Sequence, residues 1–144
     1  MKKPSLYLQN CLFFTANALA RSITRMAEKA FRDTGLSPSH AFAIMLVNDQ
    51  PGITIKELAE RLHLAQSTLT RFTDKLVYQD LVERRQEGKL TRVYPTERAG
   101  EIQVEIEKAW SRLHEDYCAA LGREAGDALA RETFAAHQRL EDLT

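Results

Sequence analysis

Residues 54–95 read TIKELAERLHLAQSTLTRFTDKLVYQDLVERRQEGKLTRVYP, and the order of periodicities within that stretch decides the fold. Thr54 and Glu57 are spaced as a capping-box pair, and Leu58, Ala59 and Leu62 follow at helical spacing. The turn His63-Leu64-Ala65 separates this helix from a second one that runs to Tyr78 or Gln79. At about 100° per residue, Leu69, Phe72, Thr73 and Leu76 share one narrow apolar stripe of the second helix. Ser67, Arg71, Asp74 and Tyr78 point the other way, with Thr68, Thr70 and Lys75 on the flanks. Leu81 and Val82 then open an apolar strand, and VERRQEGKLTRVYP has the composition of a β-hairpin with Gly88 near its tip. Two helices joined by a three-residue turn and followed by a hairpin predict a winged helix-turn-helix.

The face opposite the apolar stripe poses the functional question. If it met only water, Lys and Glu would serve a helix better than this run of small polar groups. Small hydroxyls let a helix sit deep in the major groove, and arginine makes bidentate contacts with guanine. Gln66, Ser67, Thr68, Thr70 and Arg71 are therefore candidates for contact with DNA, and Lys75 for phosphate. On the hairpin, Lys89 and Arg92 are the matching candidates, while alternation along the strand sends Arg84 and Arg85 to opposite faces. The competing reading is a solvated surface helix in which Arg71 pairs with Asp74 at i,i+3.

Outside this stretch the pattern is helical. Leu12, Ala16, Leu19, Ile23, Met26 and Ala30 predict one long helix from about Ser5 to Asp33, ended by Gly35. Ser37 and Pro38 are placed to cap and start a short, largely apolar helix that stops before Gln50-Pro51-Gly52. Thr96 is a candidate cap for a helix carrying Ile102, Ile106, Ala109, Trp110, Leu113 and Tyr117. Gly122 parts it from a last helix with Ala125, Leu129, Phe134 and Leu140. The expected class is mostly α with a small β-wing: a winged helix-turn-helix DNA-binding domain at 37–97, flanked by long dimerisation helices in 1–36 and 98–144.

The 144 residues carry 20 basic and 20 acidic side chains, which excludes a bulk polycation. Their distribution is uneven. Residues 1–50 hold six basic and three acidic groups, 51–98 nine and seven, and 99–144 five and ten, so acid gathers where contact with a polyanion is least expected. Two cysteines are too few for a secreted disulfide framework and point to the cytoplasm. The start MKKPSLYLQNCLFFTANALA has some leader character, but Gln9 and Asn10 interrupt it and its helical spacing runs on past Ala18-x-Ala20. His40, His63, His114 and His137 show no recognisable metal-ligand spacing, and no phosphate loop or nucleotide-binding glycine cluster is present. No enzyme, metal or cofactor is therefore expected.

The run ITIKELAERLHLAQSTLTRFTDKLVYQDLVERR, followed by LTRVYPTERAG, resembles the core of the MarR family of bacterial transcriptional regulators. The resemblance implies a homodimer whose N- and C-terminal helices interlock, each subunit presenting a winged helix to half of a DNA palindrome. Ser67, Thr68 and Arg71 match the family's recognition-helix contacts. The wing departs from the pattern: between Arg85 and Leu90 there is only Gln86-Glu87-Gly88-Lys89, without the family's Asp-Arg-Arg tip, and Lys89 takes the nearest place. Asn10-Cys11-Leu12-Phe13 resembles the reactive-cysteine site of the family's organic-peroxide sensors, some of which bridge it to a late cysteine across the dimer; Cys118 lies in a compatible region. Thr15 and Arg25 stand near the places where those sensors have supporting tyrosines. Two readings of the cysteines stand side by side, an oxidant switch and inert packing. The resemblance also implies a small aromatic or phenolic effector, with Phe14, His40 and Phe42 as candidate pocket residues. The implied function is a repressor released by a small molecule or oxidant; the alternative from another class is a winged-helix adaptor that binds proteins and not DNA.

Overall fold

In the computed structural model, which describes residues 3–144, the chain breaks where local chemistry stops a helix. Helix α1 (Pro4–Gln9) ends at Asn10, and α2 (Leu12–Phe31) starts afresh after Cys11. The single helix expected from Ser5 to Asp33 is thus two helices and a closing 3-10 turn, Arg32–Thr34. At the break Asn10 leaves helical geometry, at φ −108° and ψ 10°, the Cys11 amide donates to the Leu8 carbonyl at 3.2 Å with 3-10 spacing, and the Asn10 side-chain amide donates to the Leu6 carbonyl at 2.7 Å. Gly35, at φ +73°, closes the 3-10 turn in the left-handed region, as a residue without Cβ can do cheaply.

Helix α3 (Pro38–Asp49) has the expected cap, the Ser37 hydroxyl accepting from the His40 amide. Its Ala41, Ala43, Ile44 and Val47 are buried at the centre of the fold. Then come β1 (Ile53–Thr54), α4 (Ile55–Leu62), α5 (Gln66–Tyr78), β2 (Val82–Glu87) and β3 (Leu90–Pro95). Thr54 caps α4 by accepting from the Glu57 amide at 3.1 Å. Glu57 does not complete a reciprocal box; its carboxylate accepts from Gln50 at 3.1 Å. The pairing of Ile53 with Val93 adds a third strand to the expected hairpin, in the order β1-β3-β2 with both pairs antiparallel.

Helices α6 (Glu97–Leu121) and α7 (Arg123–Glu141) complete the chain, parted at Gly122. The chain divides into a central unit, 30–110, and a terminal unit, 1–29 with 111–144. The core lies in the central unit, where Phe31, Ile44, Ile53, Leu58, Leu69, Leu81, Val82, Val93 and Ile106 are all at most 2% exposed. In the terminal unit the buried positions among the described residues are Cys118 and Gly126, where α6 meets α7. No described helix is long and apolar enough to cross a membrane.

Candidate nucleic-acid interface

Helix α5 is oriented by its buried side. Leu69, Thr73 and Leu76 are at most 2% exposed, and the Thr73 hydroxyl is satisfied by the Leu69 carbonyl at 2.7 Å. Phe72, half-buried at the stripe's edge, stacks on the His40 ring at 3.9 Å between centroids, tying α5 to α3. Burial, and then the charge of Lys75, hold the His40 imidazole below its ordinary range, so the stacked ring favours its neutral form. His63, at φ 56°, ends α4 and turns the chain into α5.

The opposite side is open. Gln66, Ser67, Thr70, Arg71, Asp74 and Lys75 are exposed, Thr68 is half-buried, and Tyr78 is 90% exposed. The Thr70 hydroxyl donates to the Gln66 carbonyl at 3.1 Å, which turns its oxygen lone pairs outward. The pairing of Arg71 with Asp74 that a solvated-helix reading requires is not the one adopted. Asp74 is ion-paired with Arg84 of β2, while among the described residues the Arg71 guanidinium approaches only the Thr68 hydroxyl, at 3.5 Å. A guanidinium with five donors thus faces solvent beside the hydroxyls of Ser67 and Thr68.

The hairpin is held to this helix from below. Arg84 and Val93 are cross-strand partners on the face towards α5, and the Asp74–Arg84 pair joins helix to wing. On the other face Arg85 lies over the Tyr94 ring, 4.2 Å from its centroid. Arg92 is engaged twice, by the Glu87 carboxylate at 2.5 Å and the Gly52 carbonyl at 2.9 Å. The Glu87 hydrogen bond, and then its charge, push the Arg92 guanidinium up, fixing its cationic form. Gly88 (φ +60°) and Lys89 form a two-residue turn between the paired Glu87 and Leu90. A positive φ at the first central residue and not the second is the pattern of a type II′ turn, which suits strand twist. Lys89 is exposed at the tip.

The remaining sequence candidates do not assemble into one place within a unit. His40 and Phe42 belong to the central unit, Phe42 meeting Phe31 edge-on at 5.5 Å; Phe14 belongs to the terminal unit and is 40% exposed. Cys11 is exposed at the α1–α2 break, whereas Cys118 is buried on α6. Sequence reasoning missed the Asp74–Arg84 clamp and the Arg85–Tyr94 stack. Alternation did separate Arg84 from Arg85, but only the strand register supplies their partners.

Residues 36–88 match the sequence profile described as the MarR family. Among solved structures, the chain resembles the transcriptional repressor CouR bound to a 23-mer DNA duplex, at 16% identity and a TM-score of 0.83 over 95% of this chain and 99% of that one. It also resembles CouR from Rhodococcus jostii RHA1 bound to p-coumaroyl-CoA, at 18% identity and TM-score 0.76 over 92% and 93%. The M. tuberculosis regulator MosR in complex with DNA matches at 20% identity and TM-score 0.80 over 93% and 98%. These likenesses establish the shared fold. No curated protein matches by sequence.

Proposed function

We propose, from the match of residues 36–88 to the MarR family profile, that the chain is a member of that family and a homodimeric, cytoplasmic repressor that reads a palindromic DNA duplex with α5. The observation that carries this reading is the exposed α5 face, where Arg71 stands without a carboxylate partner because Asp74 is taken by Arg84. Arg71 with Ser67 and Thr68 reads base edges; Gln66, Thr70 and Lys75 flank them; Lys89 reaches phosphate from the wing. Arg92 supports the hairpin more than it reads DNA, since Glu87 and Gly52 hold its guanidinium. Dimerisation through 1–36 and 98–144 sets two reading helices about one duplex turn apart, roughly 34 Å. That CouR and MosR are seen on DNA supports a duplex as the partner.

Release of the operator is assigned to a small aromatic ligand or an oxidant. An aromatic acyl thioester on CouR supports the former, and the exposure of Cys11 at the amino end of α2 supports the latter. The test is selection of binding sites from random duplex DNA, repeated with reduced and peroxide-treated protein. Selection should yield a palindrome, and Arg71→Ala should weaken that palindrome more than random duplex by about 1–3 kcal/mol. Equal affinity of wild type and variant for the palindrome would defeat the assignment of α5. Protein partners captured with no duplex binding would favour the adaptor reading.

A further inference from the structure

The buried contact between α6 and α7 contains a set of donor atoms that DNA recognition does not use. His114 and Cys118 lie one turn apart on α6, and Asp127 reaches them from α7. His114 Nε2 is 2.7 Å from Asp127 Oδ1, and Cys118 Sγ is 3.6 Å from that nitrogen and 4.0 Å from that oxygen. All three donor atoms fall within 4.8 Å of one another. We propose that His114, Cys118 and Asp127 form a binding site for a zinc-like divalent transition metal.

The geometry fits with small adjustment. Tetrahedral zinc, with bonds of about 2.0–2.3 Å, places its ligand atoms roughly 3.3–3.6 Å apart. The sulfur–nitrogen edge already has that length. The nitrogen–oxygen edge is a hydrogen bond and has to open by roughly half an ångström, which the Asp127 side chain, 38% exposed, is free to allow. Thiolate, imidazole and carboxylate together select zinc-type ions over magnesium or calcium, which take oxygen donors. Two anionic ligands balance a divalent charge, although Arg123 and Arg131 also act on Asp127 electrostatically. Three protein ligands leave a fourth position for water or an exchangeable donor.

The backbone is shaped around the sulfur. A Cβ on Gly126 would lie 3.1 Å from Cys118 Sγ and 3.3 Å from the Tyr117 ring, so glycine is what lets α7 approach the thiol this closely. Tyr117 also meets the His114 ring edge-on at 5.3 Å, limiting its rotation. On binding, the thiol loses its proton to solvent and the imidazole presents an Nε2 lone pair, with its remaining proton on Nδ1. The metal then replaces the His114–Asp127 hydrogen bond and staples α6 to α7 across Gly122.

Cobalt titration of the untagged, reduced full chain tests this without reference to DNA. One equivalent per chain should give a thiolate-to-cobalt charge-transfer band with tetrahedral visible absorption and release protons as it binds, and zinc should then displace the cobalt and abolish both absorptions. Cys11→Ser should keep the band, Cys118→Ser should lose it, and His114→Gln or Asp127→Asn should weaken affinity at least tenfold, with circular dichroism reporting the fold of each. Zinc should also raise the melting temperature of wild type and not of Asp127→Asn. Absence of the band in wild type, its survival in Cys118→Ser, or unchanged affinity in folded His114→Gln and Asp127→Asn would overturn the proposal.

Discussion

The two units of this chain solve the burial problem differently. Of the 20 buried apolar side chains among the described residues, 19 lie in residues 30–110, and the remaining one is Cys118. The terminal unit instead leaves Leu12 63%, Phe13 79% and Phe134 51% exposed. Helix α1 buries nothing, and α7 buries only Gly126. A unit with a centre can hold an exposed helix face such as that of α5 in place by itself. One whose large side chains stand outside is what the proposed dimerisation would cover, each such side chain being worth about 1.5–3 kcal/mol on full burial.

The contrast can be broken most forcefully at its two phenylalanines, Phe31 and Phe13. Phe31 is fully buried against Phe42, so Phe31→Ala should cost about 3–5 kcal/mol in denaturant unfolding. A loss below about 1 kcal/mol would mean that the central core repacks in a way its density does not suggest. If the proposed dimer forms, Phe13→Asp should leave the central unit folded and shift the dimer–monomer equilibrium toward monomer in sedimentation equilibrium. A wild-type chain that is already monomeric at micromolar concentration would remove the case for pairing through the termini.

Smaller effects sharpen the division of labour within the central unit. Lys89, at the wing tip, should contribute mostly to phosphate attraction: Lys89→Ala should weaken selected and random duplexes alike and reduce the salt slope by about one. A sequence-dependent loss would instead give the wing a reading role. The weakest expected effect is at His40. Its native affinity for protons is lowered, so the unfolded chain takes up the proton first as pH falls. The stability His40 confers is therefore complete above its unfolded value near 6.5 and is lost as pH drops through its lower native value. Chemical denaturation between neutral and mildly acidic pH should show this slope in wild type and a shallower one in His40→Gln; parallel slopes would reject it.

Much of the central unit was legible because its signals are local. Ser37, Thr54, Gly35 and Gly88 announce their caps and turns within a few residues, and the burial of Leu69, Thr73 and Leu76 follows directly from helical period. The strand β1 was missed because two residues carry no period; its existence depends on Val93, 40 positions away. The α1–α2 break was hidden by apolar spacing that continues through it, while the backbone turns at Asn10. The exposed face of α5 was legible in the sequence, but its network of partners was not. Asp74 has Arg71 nearby in sequence and Arg84 nearby in space, and the second wins. Histidine spacing gave no hint of His114, Cys118 and Asp127, because the partners are a cysteine one turn on and an aspartate beyond Gly122.

The two-residue turn at Gly88–Lys89 has an architectural consequence. A Cβ built on Gly88 meets nothing within 4 Å, and the strands beneath it are secured by Arg84 to Asp74 and by Arg92 to Glu87 and Gly52. The tip is therefore a port for grafting. Longer loops can be spliced between Glu87 and Leu90 at a closure cost that rises only slowly with length, about 0.6 kcal/mol per doubling. Under the proposed function, the DNA preference of such chimaeras could then be varied at the wing while α5 and its supports stay as they are.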